Sequence, residues 1–139
     1  MDIFTPKSSK LKVPLVEGLK AGFPSPAEDY AEPTLDLNRH VVRNPASTFY
    51  ARISGDSMEG AGISDGDIVV IDKSLEPKDG SVAVCFIDGE FTLKRILIDK
   101  GRLWLQPANP KFKPIEITEE NHFVVWGIVT YIIKKLKGT

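Results

Sequence analysis

The chain has 139 residues, 42% of them hydrophobic, with 18 basic and 19 acidic side chains. That length and balance fit one small soluble globular domain and leave no room for two full ones. A net charge of −1 with 27% charged residues excludes both a basic nucleic-acid coat and a disordered chain, so the expected partners are proteins.

The first 30 or so residues read as an arm: Pro6, Pro14, Pro24 and Pro26 recur, and no apolar period is sustained. Its Met1–Pro6 start has an acidic residue and a proline where a signal peptide needs a basic start and an apolar core. Residues 1–21 carry +2 and residues 22–139 carry −3, so arm and body are electrostatically complementary. The spacing predicts one short helix over Leu37–Arg43, with Asp36 as N-cap and Asn44-Pro45 as its stop. Short β-like runs follow at Thr48–Ile53, Asp67–Asp72, Ser81–Ile87, Glu90–Ile98, Leu103–Gln106 and Phe123–Ile133, which makes the domain mainly β. The longest apolar stretches, Val82–Ile87 and Phe123–Val129, fall well short of the roughly 18 residues that span a bilayer.

The hairpin around Asp88-Gly89 is the clearest local element, because that dipeptide suits the positive φ angles of a type I′ turn. If Ile87 faces Glu90, then Phe86 meets Phe91, Cys85 meets Thr92, Val84 meets Leu93, and Ala83 meets Lys94. Lys94 then faces a small side chain, shares a sheet face with Ile96 and Ile98, and is partly desolvated, while Arg95 points the other way.

Small residues crowd Ser57 in Ser54-Gly55-Asp56-Ser57-Met58, ahead of Gly62-Ile63-Ser64-Asp65-Gly66-Asp67. A helical turn starting at Ser57 aims backbone N–H groups at an anion beside the hydroxyl, as an oxyanion hole requires. The same composition is also ordinary turn chemistry. A serine hydroxyl needs a base, and neither His40 nor His122 stands in a triad context. A lysine serves instead once burial against an apolar face favours its neutral form.

These segments, together with Ala21-Gly22-Phe23-Pro24-Ser25-Pro26, Asp88-Gly89-Glu90-Phe91-Thr92-Leu93-Lys94-Arg95, Leu105-Gln106-Pro107-Ala108-Asn109 and Trp126-Gly127-Ile128-Val129, resemble the UmuD family. Those proteins are self-cleaving accessory subunits of bacterial translesion DNA polymerases, within the wider LexA-like Ser/Lys peptidases. The resemblance implies a LexA/UmuD-like peptidase fold of short, strongly curved sheets with one short helix. It divides the chain into a cleavable arm (1–21), an extended tether (22–34) and a Ser/Lys peptidase-like β domain (35–139). It implies Ser57 as nucleophile, Lys94 as general base, Ala21-Gly22 as the bond cut, and Asp56 and Ser57 as backbone oxyanion donors. UmuD proteins often carry cysteine where this chain has Ala21, but LexA-type proteins also use Ala-Gly.

The resemblance further implies a homodimer, the RecA–single-stranded DNA filament as trigger, a UmuC-like Y-family polymerase subunit as partner, and the replication sliding clamp beyond these. A cytoplasmic protein of the SOS response is expected, without membrane association, sequence-specific DNA contact, metal or cofactor.

The remaining residues read structurally. The lone Cys85 is a buried thiol, Trp104 and Trp126 belong to the core, His40 and His122 are ordinary, and Glu116, Glu119 and Glu120 form a solvated loop. A LexA-like repressor needs a helix-turn-helix domain that 21 residues cannot hold. A membrane-bound signal peptidase needs an anchor. The alternative from another class is a non-catalytic polymerase-binding module with a vestigial Ser/Lys pair.

Overall fold

The computed structural model describes residues 2–4, 11–18, 33–55, 58–107, 111 and 113–139. They form two compact units, Met1–Pro6 with Asn44–Thr139, and Lys7–Arg43.

In the smaller unit β2 (Val13–Pro14) pairs antiparallel with β3 (Thr34–Leu35), extended by a bond from the Leu15 amide to the Pro33 carbonyl at 2.9 Å. Helix α1 (Leu37–Val41) follows, and Asp36 caps it by accepting from the Arg39 amide at 3.5 Å. It ends two residues before the expected Arg43. Val42 is already extended (φ −106°, ψ 96°), as β-branched Val41 and Val42 and the approach to Pro45 favour.

The larger unit is built on one eight-stranded antiparallel sheet. Its strands are β1 (Asp2–Phe4), β4 (Thr48–Arg52), β5 (Ile68–Asp72), β6 (Val82–Ile87), β7 (Glu90–Asp99), β8 (Arg102–Gln106), β9 (Ile115–Glu116) and β10 (Phe123–Ile133). Their order is β1-β4-β5-β10-β6-β7-β8-β9. The chain is thus mainly β with one short α-helix among the described residues, as expected. Two elements depart from the sequence reading. Asp2–Phe4, read as part of the arm, pairs with Tyr50–Arg52 as an edge strand. Glu116, read as loop, lies half-buried on β9 opposite Trp104, 3.8 Å from the Arg102 guanidinium.

Strand alternation splits the core into two clusters. One holds Ala51, Ile53, Met58, Ile63, Val69, Ile71 and Val84, with Leu93 and Trp126 packed against it. The other holds Ala83, Cys85, Ile96, Leu105 and Ile128. Bulges on β10 at Trp126 against β6, and at Thr130 against β5, let that strand serve both. Gly127 leaves room beside the first bulge, because a Cβ there would come 2.5 Å from Ile71 Cγ2 and force a shift.

At the end of β5, buried Asp72 collects four donors. Its Oδ1 accepts from the Ser47 hydroxyl (2.8 Å), the Ser74 amide (2.8 Å) and the Ser74 hydroxyl (2.7 Å), and its Oδ2 from Asn44 Nδ2 (2.9 Å). Burial pushes its pKa up, but these hydrogen bonds outweigh that effect and hold it at about 2.

Candidate active site

The hairpin places Lys94. Asp88 (φ 47°) and Gly89 (φ 89°) take the two left-handed positions of the turn, and the register is the expected one: Ile87 opposite Glu90, Phe86 opposite Phe91, Cys85 opposite Thr92, Val84 opposite Leu93, Ala83 opposite Lys94. Lys94 therefore shares its face with Ala83, Cys85 and Ile96, all fully buried, and is itself half-buried. Among the described residues it has no ion-pair partner. Arg95 points to the other face, where its Nη1 donates to the Gly80 carbonyl at 2.7 Å.

A feature that sequence reasoning missed adds to this. Pairing of β7 with β8 begins at Arg95 opposite Gln106, so Glu90–Lys94 has no partner strand on that side among the described residues. Lys94 thus stands where a free sheet edge meets the second core cluster. Periodicity could not reveal this, since the stopping point of a neighbouring strand is a tertiary fact.

The serine segment is anchored on both sides. Gly55 takes φ 81° and donates its amide to Asp65 Oδ1 at 2.7 Å. Ile53 exchanges backbone bonds with Asp67 and Gly66 at 2.8 Å each. After it, Met58 is buried in the first cluster, and its carbonyl accepts from Ala61 (2.9 Å) and Ile63 (3.1 Å) around the 3-10 turn Glu59–Ala61. Met58 and Leu93, the chain neighbours of Ser57 and Lys94, pack in one cluster. Asp56, Ser57 and the Ala21-Gly22 bond lie outside the described residues, as do Pro24, Pro26, Ala108 and Asn109.

The other singled-out residues are structural. Cys85 is fully buried and its thiol is pushed up to about 11 by desolvation, against a smaller opposing effect of the Lys94 charge. Trp126 packs on the first cluster and sits 5.4 Å from the Phe49 ring and 6.0 Å from Phe91. Lys73 Nζ lies 4.9 Å over its ring. Trp104 is half-buried, and His40 and His122 are exposed. Among the described residues no group of three His, Cys, Asp or Glu side chains is arranged to hold a metal, and no helix is long and apolar enough to cross a membrane.

Comparison with known proteins agrees with this architecture. Residues 14–130 match the Peptidase S24-like family. The chain is 45% identical to protein SamA of Salmonella typhimurium over 123 residues, covering 88% of this chain and 85% of that one. It is 43% identical to protein MucA of Escherichia coli over 117 residues, covering 84% and 80%. It is 32% identical to the LexA repressor of Anaeromyxobacter dehalogenans over 133 residues, covering 94% of this chain and 58% of the repressor. A family match over most of the chain and identities of this size leave one assignment: the chain belongs to the S24-like peptidase family, in its UmuD-like branch.

Proposed function

We propose that the chain is a self-cleaving serine peptidase that cuts its own Ala21-Gly22 bond and thereby becomes the active accessory subunit of an error-prone translesion DNA polymerase. The observation that carries the reading is Lys94: a half-buried lysine without an ion-pair partner among the described residues, on the sheet face of buried Ala83, Cys85 and Ile96, beside a stretch of β7 that no described strand pairs on its outer side. A general base must stand within reach of the hydroxyl it serves, and Met58 and Leu93, the chain neighbours of Ser57 and Lys94, pack in one cluster. The free edge of Glu90–Lys94 offers backbone groups to an extended peptide. Ala21 and Gly22 leave the scissile carbonyl unshielded, and Pro24 and Pro26 favour an extended approach.

In the mechanism, Ser57 Oγ attacks the Ala21 carbonyl carbon while neutral Lys94 takes the hydroxyl proton. Backbone N–H groups of Asp56 and Ser57 stabilise the oxyanion. The tetrahedral intermediate collapses with cleavage of the C–N bond, and Lys94 returns the proton to the Gly22 nitrogen. Water then attacks the Ser57 ester, giving the Ala21 carboxylate and regenerating the serine. Residues 1–21 leave and 22–139 remain.

Membership of the UmuD-like branch supports regulation by the RecA–single-stranded DNA filament, action as a homodimer in the cytoplasm, and partnership with a UmuC-like Y-family polymerase subunit and the sliding clamp, all within the SOS response. The filament acts by favouring the docked state of the arm and adds no chemical group. The test is Ser57→Ala: the folded variant stays at full mass under conditions where the wild type loses residues 1–21. A variant still cut between Ala21 and Gly22 overturns the nucleophile assignment.

A further inference from the structure

Strand β1 occupies the outer edge of the sheet, with Asp2 opposite Arg52, Ile3 opposite Ala51 and Phe4 opposite Tyr50. It lies on the N-terminal side of Ala21-Gly22, so the cut that the proposed function rests on would separate β1 covalently from the sheet it completes. Three residues make a weak strand pair by themselves. While tethered, β1 faces β4 at an effective concentration of about millimolar. Once severed, it must compete at the concentration of the free peptide, on the order of a thousandfold lower for a micromolar protein. Ile3, at the centre of β1, is 43% exposed.

We propose that β1 is a removable cap on the β4 edge, and that cleavage uncovers Tyr50–Arg52 as a docking edge for an extended segment of a partner protein. An unpaired edge next to a largely apolar core offers a row of N–H and C=O groups and recruits strands from other chains. The chemistry of the occupant is written in the cap. An acidic residue stands in register with Arg52 and an aliphatic residue with Ala51, so the partner segment carries an acidic residue followed by an apolar one. Arg52 is exposed, which gives the edge a charged selector.

The experiment separates this inference from the peptidase reading by opening the edge without cleavage. In the uncleavable Ser57→Ala background, Ile3→Pro at the centre of β1 is used to break its pairing while leaving the chain intact, and a chain lacking residues 1–5 serves as the form in which β1 is absent. Amide exchange is measured across Phe49–Ile53, and binding of a synthetic peptide of residues 1–8 is followed by fluorescence anisotropy. The expected result is exchange at least tenfold faster within Phe49–Ile53 in the Ile3→Pro protein, with saturable peptide binding that Ser57→Ala alone lacks and that Arg52→Glu weakens at least fivefold. Unchanged exchange, or equal peptide binding by the capped and uncapped proteins, overturns the proposal. If the wild type fails to cleave while Ile3→Pro opens the edge, the cap stands and the peptidase reading falls.

Discussion

Asp72→Asn removes one charge and almost no volume from the most densely hydrogen-bonded carboxylate described in the molecule. The wild-type carboxyl is 5% exposed and held at about 2, against an ordinary value of 3.8. A difference of nearly two units corresponds to about 2 kcal/mol of folding free energy. Because the folded-state value is depressed, that stability is fully present above pH 4 and is lost as the pH falls through about 2. In the variant an amide replaces the carboxylate, and with Oδ1 kept toward the serines its NH₂ opposes the Asn44 Nδ2 donor, so the loss at neutral pH is about 2 kcal/mol. Urea unfolding of both proteins, in the Ser57→Ala background at pH 7, 5, 4, 3 and 2.5, measures the gap at each pH. The gap is expected to be constant from pH 7 to 5 and to shrink steadily below 4. A pH-independent gap, or none, would refute the assignment of that stability to the Asp72 charge.

Gly127→Ala drives a Cβ into Ile71 Cγ2 and is expected to cost about 1–3 kcal/mol in denaturant unfolding; an unchanged midpoint would show that the strand shifts freely there. Cys85, buried and pushed up to about 11, should have about one thiol in a thousand ionised at pH 8; an aromatic disulfide reagent should therefore leave it unlabelled in the native protein and react quickly in urea. Burial raises the pKa of Asp67, but the Lys134 ammonium and the Ser64 amide outweigh it and lower the value, so Lys134→Met leaves a buried carboxylate without its counter-charge. The unfolding midpoint of that variant should fall at pH 7 and approach the wild-type value once Asp67 is protonated in acid.

The hairpin was legible because its determinants are local: Asp88-Gly89 fixes the turn, the turn fixes the register, and the register sets Lys94 opposite Ala83. The longer strands were legible for a similar reason, since five or more β-formers bounded by glycine, proline and aspartate leave little choice. Strands β1, β2, β3 and β9 were not. Two or three residues show no alternation, and their pairing depends on the strand that receives them. Nor did the pattern reveal the bulges at Trp126 and Thr130, whose extra residues answer to two flanking strands at once. At the candidate site, Ser57 and Lys94 were singled out by the family resemblance, since the residues alone read equally as ordinary turn chemistry. The brace from Asp65 to Gly55 and the free edge of β7 are long-range arrangements that no local signal carries.

The central claim is that Lys94 works as a base on the Ala21-Gly22 bond. Intact mass of purified wild type and Lys94→Ala, after incubation at alkaline pH and again at neutral pH with RecA, ATP and single-stranded DNA, tests it most directly. The account predicts loss of residues 1–21 from the wild type only. Full-length wild type under both conditions, or equal loss from Lys94→Ala, would contradict it.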